Sequence, residues 1–437
     1  MRVAELKNKK IIIWGLGHEG KAVAGFIHKI LPGQPLVFVD EAEAPANSPP
    51  LAENSRIVRG EAIASTLDDA DIVIKSPGVS LYHPLIRRLA KKNVPVTSLL
   101  NLWLAEPRAA KIIAVTGTKG KSTTSSLLTH VLKGLGKNAA LGGNIGVPVT
   151  EIPSDAAYAV VEISSYQAAN LEGACDIAIL TSLFPEHLDW HGSAETYFAD
   201  KLNLLTHAKT KIINQATLDE VRRHGITTDH LLIFNQSDGF HAKDGKIFDG
   251  AQPIGSLKNA HLARKHNLSN VCAVLTAIKF LGLDANAALQ AMENFQGLPH
   301  RQQELGEKKG ILYVNDSIAT TPQAAIAALD VYHDRAITLI AGGFDRGVDY
   351  TPLIERIVAD KIGAVICLGP SGKRIHDALK TRGASVFIAA SMPEAMKIAR
   401  AETPKGGVIL LSPAAPSFGL FHDYAERGKS FAAEAGF

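Results

Sequence analysis

The residues with the clearest chemical potential form a glycine turn at residues 112–123, with the sequence IIAVTGTKGKST. Gly117 and Gly120 have no Cβ, so the backbone can turn its N–H groups toward phosphate oxygens. Lys121 supplies a cation, and Ser122 supplies a hydroxyl for Mg²⁺. A valine replaces the first glycine of the usual eight-residue pattern, which leaves a shortened loop. The segment predicts binding of a nucleoside triphosphate; the alternative is a tight strand-to-helix turn with a solvated lysine.

Acidic, histidine and lysine side chains follow further along the chain. Glu162 comes directly after the apolar run 159–161, and His187 follows a second strand-like run. Both would emerge beside the glycine turn, because the carboxyl ends of parallel strands meet at one edge of a sheet. Glu162 suits Mg²⁺ as an oxygen ligand, and His187 would supply a nitrogen ligand or an orienting hydrogen bond. Alternatively, Glu162 caps a helix that starts at Ser164. A lone lysine on a helix, such as Lys201, is usually solvated.

A second glycine turn lies near the start of the chain. Gly15, Gly17 and Gly20 follow an apolar run with GxGxxG spacing, and Asp40 ends the next run. This pattern satisfies the dinucleotide fingerprint and predicts a diphosphate near a helix N-terminus. It leaves the ligand open, because NAD or another nucleotide would fit, with a ribose or a uracil edge at Asp40. A purely structural turn is the third alternative.

The elements that must position these residues are short buried strands separated by helical patterns. Strands are predicted at residues 11–14, 36–39, 71–74, 112–115, 159–161, 311–314, 337–340, 364–367 and 407–411. Such runs are typical of parallel sheets covered by helices, so the predicted fold class is α/β.

Length and chain breaks predict three domains. The chain has 437 residues, and domains commonly hold about 150 residues. Pro107 breaks a helical segment, and a new series of strands begins after residues 297–301. We predict a Rossmann-like domain at residues 1–107, a central P-loop domain with a parallel sheet at 108–299, and a Rossmann-like C-terminal domain at 300–437. Residues 45–50 are predicted to form an exposed loop.

Composition excludes several classes of protein. The chain has 46 basic and 43 acidic residues, and it lacks a basic run dense enough for a nucleic-acid or membrane surface. Cys175, Cys272 and Cys367 lie far apart without metal-ligand spacing, which indicates buried free thiols. No apolar run approaches the roughly 18 residues of a membrane span. We therefore expect a cytoplasmic protein that acts on small molecules.

Further segments carry a resemblance to a known family. They are residues 116–123, 143–146, 162–165, 186–187, Lys201, 266–270, 298–301 and 315–317. Taken together they resemble the Mur ligases of peptidoglycan synthesis, in order along all three predicted domains. The resemblance is strongest to the enzymes that join glutamate to UDP-N-acetylmuramoyl-L-alanine while cleaving ATP to ADP and phosphate.

The resemblance implies roles for many of these residues. The UDP-substrate would bind at Gly15, Gly17, Gly20, Asp40, Ser76, Asn144 and Ser164, which argues against NAD as the ligand. ATP would bind at Gly117, Thr118, Lys119, Gly120, Lys121, Ser122, Thr123, Asn267, Asn270, Arg301 and Asp316. Mg²⁺ would be held by Ser122, Glu162, His187 and Lys201, the lysine as a CO₂-derived carbamate. Lys121, His187 and Lys201 would be the catalytic residues.

The incoming amino acid is indicated by the positions where this chain departs from the family pattern. Enzymes that add D-glutamate usually have a lysine, paired with a glutamate carboxylate, where this chain has Ile318. The chain instead resembles a branch that adds L-glutamate, in segments 14–20, 184–192, 342–347 and 412–419. We predict that Arg346, Ser417 and Tyr424 bind glutamate, because a dianionic substrate needs a cation and several donors. Arg346 could equally be a solvated loop arginine.

Other readings stay open at the level of sequence. D-glutamate is the first alternative substrate. Folylpolyglutamate synthase shares the shortened loop, but its two-domain layout leaves residues 1–107 unexplained. An NAD-linked oxidoreductase and a non-catalytic nucleotide-binding regulator are more remote alternatives. We further predict a monomer that acts before a separate glutamate epimerase.

Overall fold

The structure is a computed structural model, and it describes residues 1–41, 55–145, 147–259 and 261–437, without the side chains of Lys265 and His266. The predicted loop at residues 45–50 lies outside the described residues. The chain divides into two compact units, Met1–Phe295 and Gln296–Phe437.

The first sheet occupies the start of the first unit. Its strands are β1 (Ile11–Trp14), β2 (Leu36–Val39), β3 (Ser55–Val58), β4 (Ile72–Lys75) and β5 (Val96–Thr97), and its helices are α1 (His18–Ile30), α2 (Ala62–Asp68), α3 (Pro84–Lys91) and α4 (Leu99–Ala105). Among the described residues the strands are all parallel, in the order β3-β2-β1-β4-β5. Every residue of β1 and β4 is buried, as expected for strands covered on both faces.

The central sheet completes the first unit. Its strands are β6 (Lys111–Thr116), β7 (Ala139–Gly143), β8 (Tyr158–Glu162), β9 (Cys175–Leu180), β10 (Ala208–Asn214) and β11 (Leu231–Phe234). They are parallel, in the order β11-β10-β9-β6-β8-β7. The helices are α5 (Lys121–Gly134), α6 (Ser165–Ala168), α7 (Leu188–His191), α8 (Ala194–Thr206) and α9 (Leu218–Arg223).

A small antiparallel sheet and two helices follow. They are β12 (Phe240–Lys243), β13 (Lys246–Asp249), β14 (Gln252–Ser256), α10 (Lys265–Phe280) and α11 (Ala285–Met292). Helices α10 and α11 pack on α5, and their apolar side chains complete one face of the central core. This packing holds α10 against the helix that leaves the glycine turn.

The second unit contains a separate sheet. Its strands are β15 (Gln303–Lys308), β16 (Ile311–Asn315), β17 (Ile337–Gly342), β18 (Ala364–Leu368), β19 (Val386–Ala389) and β20 (Val408–Leu411), and its helices are α12 (Pro322–Val331), α13 (Thr351–Ala359), α14 (Gly369–Lys380), α15 (Met392–Glu402) and α16 (Tyr424–Ala435). The order is β15-β16-β20-β17-β18-β19, and only β15 is antiparallel within these described residues. Separate apolar clusters cover its two faces, so the sheet is doubly wound.

The first two sheets share one hydrophobic core. Ile13 of β1, Leu102 of α4 and Ala178 of β9 belong to the same buried cluster. This continuity explains why residues 1–295 form one unit even though they contain two large sheets. The predicted boundaries at residues 107/108 and 299/300 stay predictions.

The predicted α/β fold is confirmed, and each predicted strand exists within one or two residues of its expected bounds. The pattern missed β3, β5, β7, β10, β11, the small antiparallel sheet, β15 and β19. Most of these strands are short, polar or at the edge of a sheet, whereas β10 is a seven-residue strand inside the central sheet. Every described helix is too short or too polar to span a bilayer.

Candidate functional site

The glycine turn between β6 and α5 depends on both of its glycines. Gly117 has φ +148°, and Gly120 has φ +88°, a left-handed conformation that caps α5. A Cβ on Gly117 would lie 2.0 Å from Thr181 Oγ1, and one on Gly120 would lie 2.5 Å from Asn270 Oδ1. The turn therefore requires glycine for backbone conformation and for space, as its sequence predicted.

Two lysines converge on this turn. Lys121 Nζ donates to Gly117 O at 2.8 Å and to Thr118 O at 3.1 Å. Lys201 Nζ, from α8, donates to the same Gly117 O at 3.0 Å. Burial, and then the charge of Lys121, hold the pKa of Lys201 well below its usual range. Lys201 is thus a buried amine beside the phosphate loop, contrary to the solvated position expected of a lone helical lysine.

Other groups of the turn bond within the protein. The Thr118 hydroxyl donates to Phe184 O at 3.0 Å and lies 2.8 Å from the Tyr197 hydroxyl. The N–H groups of Thr118 and Lys119 donate to Ser182 O and Oγ, both at 2.9 Å. Lys119 also forms an ion pair with Glu186. These bonds fix the shape of the loop, and its contacts with phosphate stay predictions.

Glu162 ends β8 and is buried. Its Oε1 accepts a hydrogen bond from Asn144 Nδ2 at 2.8 Å, whereas its buried Oε2 has no hydrogen-bond partner among the described residues. The cap of α6 is Ser164, which accepts from Gln167 N–H. Glu162 therefore does not cap this helix, and its orphaned oxygen is the kind of group that a cation would satisfy.

His187 has a left-handed backbone, φ +56°, and a side chain that is 48% exposed. Its ring lies 5.2 Å from the ring of Tyr166. Burial is the largest cause lowering its pKa, with the charges of Lys121 and Lys201 adding to it and Glu186 opposing. A neutral imidazole is the form that binds a metal.

The central sheet brings the predicted metal ligands to one region. The charges of Lys121 and Glu162 both affect the pKa of Lys201, so both side chains lie near Lys201. Ser122 lies buried in the first turn of α5, beside the lysine pair. Oxygen and nitrogen donors of this kind fit Mg²⁺, with the carboxylate of Glu162 as the hard ligand.

The described residues also contain one acidic cluster elsewhere, made of Glu195, Glu220 and His224. Arg223 forms ion pairs with both glutamates. An arginine therefore already pairs with both carboxylates of this cluster, and the cluster includes none of the predicted ligands.

Asn267 and Asn270 lie buried on α10, against the phosphate loop. Asn270 Nδ2 donates to Asn267 Oδ1 at 3.2 Å, and the Thr124 hydroxyl donates to Asn270 Oδ1 at 3.2 Å. The two asparagines predicted to bind ATP are thereby joined to α5, the helix that begins at Lys121. Thr123 is partly buried on the same helix.

The first glycine turn is as tightly built as the second. Gly15 has φ +110°, and a Cβ on it would lie 2.6 Å from Ser76 Oγ. A Cβ on Gly20 would lie 2.0 Å from Gly15 O, and Gly17 is the N-cap of α1. The predicted residues Gly15, Gly17, Gly20 and Ser76 therefore meet at one edge of the first sheet.

Asp40 has a structural task that the sequence did not reveal. Its Oδ2 accepts a hydrogen bond from Leu16 N–H at 2.6 Å, inside the glycine turn. The carboxylate thereby holds the turn in shape, and its contact with a ribose or uracil stays a prediction.

A cavity of about 170 Å³ connects the first glycine turn with the central sheet. Its lining includes His18 and Glu19 at the start of α1, together with Asn144 and Gln167. Asn144, predicted to contact the UDP-substrate, thus lies across a cavity from the turn predicted to bind UDP. Ser164, the other predicted contact, caps the helix that carries Gln167.

In the second unit, Asp316 is buried at the end of β16. Ser412 Oγ donates to Asp316 Oδ2 at 2.7 Å, and Gln302 N–H donates to Oδ1 at 3.0 Å. Burial raises the pKa of Asp316 to about 6 against these bonds. Arg301, the other predicted nucleotide contact of this unit, is exposed and adjoins Gln302.

The predicted glutamate residues lie on neighbouring segments of this unit. Phe344 N–H donates to Pro416 O at 2.8 Å, which joins the loop of Arg346 to that of Ser417. Tyr424 O accepts from the Ser317 hydroxyl at 2.7 Å. Arg346 is exposed and Ser417 is buried. The segments are adjacent, and glutamate binding by these side chains stays a prediction.

Sequence reasoning missed a buried polar network between the first two sheets. Tyr82, His191 and Asp200 form its hydrogen bonds, and a charged pair, Lys75 and Glu19, lies beside them. Burial lowers the pKa of Lys75 to about 8 and raises that of Glu19 to about 7. Isolated polar residues on separate elements give no periodic signal that could have identified the network.

Three family models match the chain in order. They are the "Mur ligase MurD-like, N-terminal domain" at residues 9–98, the "Mur ligase middle domain" at 115–278 and the "Mur ligase, glutamate ligase domain" at 300–415. The first match assigns the N-terminal glycine fingerprint to a ligase domain and not to a dehydrogenase.

Relatives and solved structures agree with these matches. The chain is 39% identical to UDP-N-acetylmuramoyl-L-alanine--L-glutamate ligase of Xanthomonas campestris, with 100% of this chain and 97% of that protein covered. It is 41% identical to the enzyme of the same name from Salinispora tropica, with 99% and 98% covered. UDP-N-acetylmuramate-alanine ligase MurC of Thermotoga maritima has the same fold, with a TM-score of 0.57, 22% identity, and 98% and 99% covered. The chain therefore belongs to the Mur ligase family.

Proposed function

We propose that this protein uses ATP to join L-glutamate to UDP-N-acetylmuramoyl-L-alanine, in peptidoglycan synthesis. The reaction class rests on one observation, that Lys121 and Lys201 both bond Gly117 O in a glycine turn that opens α5. The full-length relatives that carry the name of this reaction support the choice of substrates.

In the proposed reaction the L-alanine carboxylate attacks the γ-phosphorus of ATP. An acyl phosphate forms, and the bond from γ-phosphorus to the ADP oxygen breaks. The glutamate amine then attacks the acyl carbon, loses a proton, and the tetrahedral intermediate collapses with release of phosphate. Negative charge on the transferring phosphoryl group is the main quantity to stabilise, and Lys121 at the N-terminus of α5 supplies a cation and the helix dipole there.

Mg²⁺ would neutralise phosphate charge when bound. Ser122, Glu162, His187 and Lys201 would hold it, and the orphaned Glu162 Oε2 fits this role. A carbamate on Lys201 requires a neutral amine as nucleophile toward CO₂, and the lowered pKa of this buried lysine supplies one.

The third part of the proposal is the choice of glutamate isomer. Ile318 is partly buried, and its N–H donates to His300 O at 3.0 Å. An aliphatic side chain cannot form the ion pair expected in the enzymes that add D-glutamate. We assign the cation for the glutamate carboxylates to Arg346, with Ser417 and Tyr424 as the other binding residues, and keep D-glutamate as the alternative.

The decisive assay is phosphate release with ATP, Mg²⁺ and UDP-N-acetylmuramoyl-L-alanine, with L- or D-glutamate, and mass analysis of the product. We expect turnover with L-glutamate and a product heavier by one glutamyl residue. Lys121→Ala should abolish it, whereas Lys133→Ala, an exposed lysine on the same helix, should not. Preference for D-glutamate would reverse the isomer assignment, and silence with both would refute the proposed acceptor.

An L-glutamyl product would need an epimerase to yield a D-configured peptide, so we propose that a separate epimerase acts next. We also propose that the enzyme works as a monomer in the cytoplasm, where ATP and nucleotide-linked precursors are made. Precursors that retain L-glutamate in the cell wall would contradict the epimerase step.

A further inference from the structure

A buried carboxylate joins the first sheet to the helix that carries Lys201. Asp200, on α8, accepts one bifurcated hydrogen bond from the Tyr82 hydroxyl, at 2.8 Å to one oxygen and 2.9 Å to the other. His191 Nδ1 lies 2.6 Å from Asp200 Oδ2, and His191 Nε2 lies 3.0 Å from Ser165 Oγ. A carboxylate only accepts, so Nδ1 carries the proton toward Asp200. The chain of bonds runs from the loop after β4, through α8 and α7, to the start of α6.

Further contacts hold the same loop on α7. The Ser80 hydroxyl donates to Trp190 O at 3.1 Å, and the Tyr82 and Trp190 rings meet edge to face at 6.0 Å. Lys75 Nζ lies 5.7 Å from the centroid of the Trp190 ring, within cation–π range. The loop is therefore fastened by several directional contacts, which restrict angle as well as distance.

The elements joined in this way carry the two halves of the proposed reaction. The segment from Ser76 to Tyr82 begins at the residue predicted to contact the UDP-substrate, and α8 continues from Asp200 directly into Lys201. A reacting carboxylate and phosphorus must be held near 3 to 3.5 Å, and small misplacements cost rate steeply. Contacts that hold the loop at residues 76–82 in place relative to α8 therefore help to set the distance between the reacting carboxylate and the phosphorus.

We propose that Asp200 is a positioning residue: through Tyr82 and His191 it locks the loop at residues 76–82 to α8 and so aligns the substrate carboxylate with the ATP γ-phosphate. The inference rests on the proposed function for its catalytic consequence. The inference also requires a fixed spacing between the first sheet and the central sheet, and this spacing can be measured in protein that is not catalysing the reaction.

The test uses full-length protein with spin labels at Lys91→Cys on α3 and Arg222→Cys on α9, both exposed positions; the natural cysteines are buried. Tyr82→Phe removes the hydroxyl that reaches Asp200 and keeps the ring. Tyr158→Phe is the matched control. It also removes a tyrosine hydroxyl, but at the amino end of β8, whereas the candidate site lies at the carboxyl ends of the strands. Asp200→Asn is the second variant, which keeps the size of the side chain.

We expect Tyr82→Phe and Asp200→Asn to broaden the distance distribution between the labels, and Tyr158→Phe to leave it narrow. The kcat should fall about tenfold, while the Kd values for UDP and ATP stay within about twofold, because each nucleotide still meets an intact turn. If the wild type proves unable to ligate, and both variants still broaden the distance distribution, the positioning role of Asp200 is supported while the proposed reaction is refuted. Unchanged distances in both variants, with or without a lower melting temperature, would overturn the inference.

Discussion

At the scale of single residues, the site depends on polar groups that are buried. Lys201 is a buried amine, Asp316 is a carboxyl with a raised pKa, and Glu162 has an oxygen without a partner among the described residues. Sequence patterns located Lys201 and Asp316 only through family resemblance, because burial results from tertiary packing. A lysine on an amphipathic helix carries no signal of its own.

Lys201 gives the first prediction at this scale. If it acts as a carbamate, the group needed in the site is an anion, so Lys201→Ala should lose activity that acetate or propionate partly restores. Methylamine should not restore it, because it supplies a cation. Steady-state phosphate release with each additive measures the effect. Rescue by the amine alone would show that the ammonium form is the active one.

Asp316 gives a second prediction, of pH-dependent stability. Its pKa of about 6 in the folded state lies above that of an exposed aspartate, so the folded protein binds more protons between the two values. Stability falls as the pH rises through this window, by at most about 3 kcal/mol. Asp316→Asn keeps an acceptor for Gln302 N–H and removes the buried charge.

We therefore expect Asp316→Asn to gain stability over the wild type as the pH rises from about 4 to about 6, and to lose this advantage in more acidic buffer. Melting temperatures of both proteins across this range measure it. A difference that stays constant with pH would indicate that Asp316 has the same pKa in the folded and the unfolded protein.

At the scale of elements, the two glycine turns determine where ligands can bind. Each turn follows a buried strand and opens a helix, an arrangement that the sequence predicted correctly from glycine spacing alone. What spacing could not supply is the packing around each turn, such as Asn270 behind Gly120 or Asp40 bonded to Leu16. These contacts join residues far apart in sequence.

Gly120→Ala tests the importance of that packing. The substitution combines a left-handed backbone with a Cβ placed 2.5 Å from Asn270 Oδ1. Gly136→Ala is the matched control, with φ +71° and no atom within 4 Å of its added Cβ. We expect both to lose about 1 kcal/mol through backbone strain, and Gly120→Ala alone to weaken ATP binding, by about tenfold or more. Titration calorimetry with ATP and urea unfolding measure the two effects, and equal ATP affinities would contradict the role given to Gly120.

At the scale of the whole molecule, strand patterns predicted the α/β class and most of the parallel sheets. They did not predict the small antiparallel sheet or β15, because these strands are short or mostly polar and bury few residues, which leaves little pattern to detect. The boundary predicted between the first two sheets stays a prediction, and the described residues of both sheets lie in one compact unit. The shared core arises from α4, whose apolar residues give no indication of which sheet they will pack on.

Scanning calorimetry tests this division into units. The first two sheets share a buried cluster, so we expect residues 1–295 to unfold in one transition and residues 296–437 in another. UDP should raise the temperature of the first transition only, because it binds the native form of that unit. Separate unfolding transitions for the first and central sheets would show that their shared cluster does not make the two sheets unfold together.

The shared core also restricts how such enzymes can be recombined. Ile13, Leu102 and Ala178 belong to one buried cluster. A chimera with its first sheet from one ligase and its central sheet from another would therefore combine core side chains whose shapes and volumes do not match. Mismatched volumes there would leave voids or clashes. In the described part of the chain, the buried clusters of the second unit consist of that unit's own residues. A crossover near residue 295 therefore keeps each of these clusters whole, whereas one near residue 107 divides the shared cluster.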